Sequence, residues 1–347
     1  MMTTSAAASS NRWLRRFAWL LAASTLLLIC SGGMVTSKGV GLAVPDWPTT
    51  FGYNMFMFPV SQWVGGIFFE HTHRLIASTI GLLTIGLAVW LWRASPRLRW
   101  LGVAALGAVI LQGVLGGLRV TLLKDEIGIF HACLAQAFFG LLVYIAWSLS
   151  GSPAEQTVRR QRAAFSWLAL TATALIYLQL ALGATMRHQH RDLSILDFPT
   201  AYGSMLPDVS QTNLAAINRW RDARAFSDVT AAQIWLQMTH RFVALIIATS
   251  VISLWFAVRR RRSEATKGTR TLSSWWVFFL FCQITLGAWT IWSNKAADIA
   301  TAHVAVGATM LAFGVVISAR SLRDLQHTPV RNVSPAHPRI REGLVSV

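Results

Sequence analysis

"EHTHRL", residues 70–75, and "LQMTHRF", residues 236–242, decide how this chain is read. Each stands at the head of a long apolar stretch. An ionisable cluster at hydrocarbon depth is costly, so it marks a functional site by default. The two motifs share Thr-His-Arg and set His73 against His240. They differ three residues upstream, where Glu70 faces Gln237.

Working outward, the whole chain is apolar. Of 347 residues 54% are hydrophobic and only 13% charged, with a mean hydropathy of +0.48. Soluble domains carry about 25% charged residues, so the composition predicts an all-α integral membrane protein. Eight stretches reach the roughly 17–25 residues that a spanning helix needs. They lie near 16–35, 67–92, 99–119, 129–149, 164–186, 233–258, 272–292 and 300–319.

The formal net charge is +17, and its distribution points to topology. The segments 1–16, 93–99, 150–163, 259–271 and 320–347 hold 20 Lys and Arg against 4 Asp and Glu. The rest of the chain holds 11 against 10. Lys and Arg mark the cytoplasmic side, so both termini are expected in the cytoplasm. The arginine run at 259–262 then reads as an anchor beside anionic lipid, and no nucleic-acid partner is expected. Residues 1–16, rich in Ser and Ala, read as an uncleaved signal anchor's tail rather than a transit peptide. Cys30, Cys133 and Cys282 fall within spans, without the spacing of a covalent haem, zinc or iron–sulfur site, and read as packing residues.

The chain repeats itself. His240 follows His73 by 167 residues, "QITLGAWTI" (283–291) follows "QGVLGGLRV" (112–120) by 171, and His303 follows His131 by 172. "SGGMVTSK" (31–38) resembles "LALGATMRH" (180–188). Four helices per repeat restore the same orientation, predicting a parallel repeat about an axis along the membrane normal. The expected architecture is two tandem, pseudo-symmetric four-helix bundles, 17–150 and 164–320. A tail (1–16), a linker (151–163) and a second tail (321–347) lie in the cytoplasm.

Four of the nine histidines occupy matched places near the non-cytoplasmic helix ends, two per bundle. Bundle cores build cofactor sites from facing helices in this way. Zinc asks for three or four ligands, and no further Cys or carboxylate recurs at matching positions. Haem iron asks for two axial nitrogens, which suits a pair of imidazoles better. Gly113, Gly116, Gly117 and Gly287 allow close approach by a flat macrocycle or by a neighbouring helix. Haem propionates need cations, and Arg74, Arg119, Arg187 and Arg241 lie on the same face, as propionate partners or headgroup anchors.

The Glu70/Gln237 difference assigns chemistry to one bundle. Glu70 shares a helical face with His73 and can move a proton or stabilise positive charge. Gln237 can only hydrogen-bond, which suits holding a cofactor or passing electrons. His71 points off that face and reads as interfacial or one step removed from a bound group. The outer loop 36–63, dense in Gly, Pro and aromatics, predicts an ordered lid. The longer loop 187–232 is polar, and its His188 and His190 have no partner in the first half and are expected to be solvated.

Together "SGGMVTSKGVGLAVPDWP", "EHTHR", "QGVLGGLRV", "HACLAQ", "MTHR" and the His303 helix resemble haem A synthase over about residues 13–320. The resemblance implies a bacterial inner-membrane oxidoreductase. It would convert haem O to haem A by successive hydroxylations of a methyl group to a formyl group. It implies His73 and His131 as ligands of the substrate haem O, Glu70 acting beside it, and His240 and His303 holding a resident haem b. The implied partners are the lipid bilayer, haem O synthase, an oxidase assembly route and an electron donor. Some members carry a cysteine pair in the first outer loop; residues 36–66 hold none. The rival reading is a two-haem electron carrier of the quinol-oxidising cytochrome b type.

Overall fold

The computed structural model describes residues 3–150, 159–189, 193–260 and 267–326. His190, Arg261 and Arg262 of the arginine run, most of the linker (151–158) and the tail from 327 lie outside them. Nine α-helices are present among the described residues: α1 (Thr3–Ser37), α2 (Gly65–Ala94), α3 (Arg99–Leu122), α4 (Asp125–Ser148), α5 (Arg159–His188), α6 (Gln211–Asp222), α7 (Ala231–Arg260), α8 (Lys267–Trp292) and α9 (Ala297–Gln326). All but α6 contain 24–30 residues that are long and apolar enough to cross a membrane. At 1.5 Å per residue each exceeds the roughly 30 Å hydrocarbon core. These eight coincide with the eight expected spans. The short amphipathic α6 was not foreseen within the loop 187–232.

Local chemistry sets the ends. α2 stops before Pro96, whose ring disfavours helix in the preceding residue. α3 ends on Leu123 in the left-handed region (φ 55°), its N–H closing onto the Arg119 carbonyl. Asp125 and Glu126 open α4, where negative charge favours the helix N-terminus. α6 starts under a Ser210 cap and ends on Arg219 and Arg221.

α1 packs on α2 and α4, and α3 on the same two; α5 packs on α7 and α9, and α8 on the same two. The halves touch through α1, α4, α5 and α9. One core gathers Leu14, Leu21, Ile80, Leu87, Phe138 and Leu142 and takes in Ala308 of α9. A second gathers Phe165, Ile176, Val251, Leu254, Trp276 and Ile317. Outward faces remain apolar, with Leu82, Ile110, Leu245 and Phe281 all exposed, as expected where the solvent is lipid. A small third core (Ile195, Ala201, Val229, Ile234 and Met238) sits beneath α6 and its loop.

Candidate functional site

The four matched histidines lie near the ends of α2, α4, α7 and α9, and each ring rests on a glycine of the preceding spanning helix. A Cβ added at Gly32 would come 2.9 Å from the His73 Cε1, and at Gly116 3.3 Å from that of His131. At Gly183 it would come 3.5 Å from the His240 Cε1, and at Gly287 3.1 Å from that of His303. Each Nδ1 is buried without a hydrogen-bond partner. His73 and His131 lie within electrostatic reach of each other, as do His240 and His303. An unsatisfied buried polar atom costs about 1–3 kcal/mol, so four at matched places mark sites built for a bound group. Two imidazoles per pair, in apolar surroundings, fit the two axial positions of a haem iron.

Glu70 is 4% exposed and both its oxygens are engaged. Oε1 accepts from the Arg74 guanidinium at 2.7 Å, and Oε2 accepts the Val44 N–H at 2.9 Å. Arg74 also donates to the carbonyls of Val44 and Asp46, both at 2.7 Å, and of Thr49 at 3.2 Å. The pair therefore fastens the first outer loop over the head of α2. Within that loop Asp46 accepts from the Thr49 hydroxyl and from the Phe51 and Gly52 N–H groups. Partial burial pushes the Asp46 carboxyl upward, but these donors outweigh it and hold it below the usual carboxylate range.

The same device recurs in the second half. Gln237 accepts the Ile195 N–H at 2.8 Å and donates to the Ile195 carbonyl at 3.1 Å. Arg241 donates to the carbonyls of Asp197 (2.7 Å), Thr200 (2.8 Å) and Pro199 (3.2 Å). Asp197 accepts from the Thr200 hydroxyl and the Tyr202 and Gly203 N–H groups, as Asp46 does at its turn. Its carboxyl is pushed up by burial and pulled further down by those donors. Both turns place an aromatic residue and then a glycine at positive φ: Phe51 (50°) and Gly52 (78°), Tyr202 (54°) and Gly203 (82°). The glycine suits that region without strain. The loop 187–232 therefore carries a second copy of the first loop's turn, "LDFPTAYGS" (196–204) against "PDWPTTFGY" (45–53).

The remaining expected residues are placed as follows. His71 is fully buried beneath the first loop, Nδ1 3.3 Å from the Thr50 hydroxyl and its ring against Phe58 and Trp63. Arg74 and Arg241 commit their guanidinium groups to loop carbonyls. Arg187 reaches from α5 to α1, donating to the Gly33 carbonyl (2.6 Å) and to the Ser37 hydroxyl. No hydrogen bond or ion pair of Arg119 is found among the described residues; it lies within electrostatic reach of His73, His131 and Glu70. His188 is corrected: it is buried, not solvated, because Gly128 of α4 opens a seat for its ring, 2.6 Å from a would-be Cβ.

Of the flagged glycines, Gly116 and Gly287 seat histidines, Gly117 seats the Trp47 ring, and Gly113 faces open space. Gly117→Ala would put a Cβ 2.3 Å from that ring. It is expected to unseat the first loop and raise its cleavage in limited proteolysis. Gly113→Ala is the control, and equal cleavage in both would show that Trp47 does not anchor the loop.

The chain is similar to several proteins named heme A synthase. A protein named heme A synthase from Shouchella clausii is 30% identical over 207 residues, 57% of this chain and 67% of its own. Proteins of the same name from Caulobacter vibrioides and Bacillus licheniformis are each 24% identical. They align over 93% and 91% of this chain and 100% and 99% of their own. Residues 52–315 match the family described as cytochrome oxidase assembly protein, COX15-CtaA. That match covers about three-quarters of the sequence and takes in all four seated histidines, so the chain belongs to the COX15-CtaA cytochrome oxidase assembly family.

Proposed function

We propose that the chain is a haem A synthase that oxidises a methyl group of haem O to a formyl group. The N-terminal half takes haem O between His73 and His131, and the C-terminal half keeps a haem b between His240 and His303. The observation that carries this reading is the doubled pair of glycine-seated imidazoles with a carboxylate, Glu70, beside only the first pair. Bound haem supplies the redox-active iron. The chain's own residues hold and orient the macrocycle, and the pinned loops shield it from bulk water. Arg119, with an uncommitted fork, is the first choice for a propionate of the substrate, and Arg187, within electrostatic reach of His303, for one of haem b. Arg74 and Arg241 serve instead as loop fasteners. Glu70 presents a negative charge beside His73, where positive charge developing on the substrate would be stabilised.

The two halves are read as tandem four-helix bundles of a bacterial inner-membrane protein, with both termini cytoplasmic and the histidines toward the other side. Reporter fusions after Arg99 and Lys267 should signal cytoplasm, and fusions at Asn54 and Asn218 the opposite side. A cytoplasmic signal at Asn218 would break the matched-depth placement of the two histidine pairs.

The test of function is the pigment extracted from cells that make haem O, with and without this protein. Haem A appearing in place of accumulated haem O supports the synthase. Unchanged haem O with two b-type haems bound supports the electron-carrier reading.

A further inference from the structure

Three of the four histidines have a glutamine behind them. Gln112, Gln179 and Gln283 each precede by four residues the glycine that seats a histidine. The sets are Gln112–Gly116–His131, Gln179–Gly183–His240 and Gln283–Gly287–His303. Positions four apart lie on one helix face, so each amide lies one turn from the ring's seat. The Gln112 Nε2 donates to the His131 main-chain carbonyl at 3.0 Å, and the Gln179 Nε2 to that of His240 at 2.8 Å. The Gln283 Nε2 lies 3.4 Å from the His303 Nε2. In all three the amide Oε1 is buried without a partner, and so is the Nδ1 of the histidine it serves. Four residues before Gly32, which seats His73, stands Leu28, an apolar residue packed against the first core.

We propose that Gln112, Gln179 and Gln283 are positioning residues that orient and strengthen three histidines as iron ligands, leaving His73 as the weak, exchangeable one. This rests on the haem reading above. A ligating imidazole that donates its other N–H to an acceptor is fixed in orientation and made more basic. Each glutamine is tethered to the main chain of the histidine it serves, or lies beside its ring. Each carries a buried acceptor that is not bonded to the ring in this structure and would engage it once the other ring nitrogen holds iron. His73 has an alkyl side chain at that place. A resident haem is best kept by two strengthened ligands, whereas a substrate haem must leave after oxidation, which one lone ligand allows. The asymmetry falls where the division of labour requires it.

The test is made on the purified full-length protein. Gln283→Leu and Gln179→Leu should weaken haem b retention about 10–100-fold, the range for losing an outer partner of a metal ligand. A less basic imidazole stabilises ferric iron less, so the haem b midpoint should rise, by about 59 mV for each tenfold preferential loss of ferric affinity. Gln283→Glu, which keeps an acceptor oxygen, should not show this rise. Leu28→Gln should slow transfer of haem from the N-terminal half to apomyoglobin, and Gln112→Leu should speed it, which also serves if the first variant does not accumulate. Unchanged midpoints in both leucine variants, or unchanged transfer rates, overturn the proposal. His303→Ala separates the two levels. If it keeps haem b, the haem reading itself fails. If it loses haem b while Gln283→Leu changes nothing, only the role of the glutamines fails.

Discussion

His303→Ala or His240→Ala is expected to strip the C-terminal half of its proposed haem b. The purified variant should then lose most of the low-spin b-type spectrum. The iron would lose one of two axial imidazoles, and the alanine methyl that replaces it beside Gly287 or Gly183 offers no donor. The effect should exceed the ~10–100-fold typical of removing an outer partner, because a direct ligand is gone. His73→Ala should leave the same spectrum in place, since His73 faces His131 and not the second pair. The protein itself should still accumulate, because the apolar cores around Leu142 and Trp276 hold the two halves together. An undiminished spectrum in both C-terminal variants would place the cofactor elsewhere and end the assignment.

The eight spanning helices were legible because lipid demands an uninterrupted apolar run, and a run of that length has few other readings. The pairing of His73 with His131 and of His240 with His303 was legible for the same reason, since matched depth follows from matched helix ends. The second pinned turn was hidden by the register of the repeat. The motifs from His73 onward recur at 167–172 residues, whereas Gly32 and Gly183, like Asp46 and Asp197, recur at 151, the additional residues being those around α6. The pattern Asp-aromatic-Pro-Thr, then aromatic-Gly, was present in both loops and was the signal to use. The roles of Arg74 and Arg241 were not legible at all. A guanidinium after a histidine looks the same in sequence whether it meets a propionate or three backbone carbonyls, and only the fold of the loop decides. His188 was misread because its neighbours are polar and charged, while the glycine that buries it lies in another helix.

Glu70→Gln is expected to abolish formyl product while leaving the lid seated and haem b in place. Gln237 shows why the lid should survive: an amide at the equivalent position binds both polar groups of Ile195, at 2.8 and 3.1 Å. The amide introduced by Glu70→Gln can accept the Val44 N–H as the carboxylate does, and Arg74 keeps its three loop carbonyls. What disappears is the negative charge beside His73, at nearly constant volume. Removing one preorganised electrostatic stabiliser typically costs about 10²–10³-fold, so the loss of haem A should be plain, with a partly oxidised hydroxymethyl haem as the product to look for. Gln237→Glu should leave the reaction type unchanged and at most perturb the proposed haem b, since in this reading it adds charge where electrons are only held or passed. The competing account is that Glu70 is no more than a fastener, completing the grip that Arg74 has on the loop. It predicts nearly normal haem A from Glu70→Gln, because the amide can fasten the loop as well as Gln237 does. It also predicts that Arg74→Ala, which removes the fastener and leaves the carboxylate, is the more damaging of the two. Product analysis of both variants, beside limited proteolysis of the loop, decides whether the carboxylate acts on the substrate or on the lid.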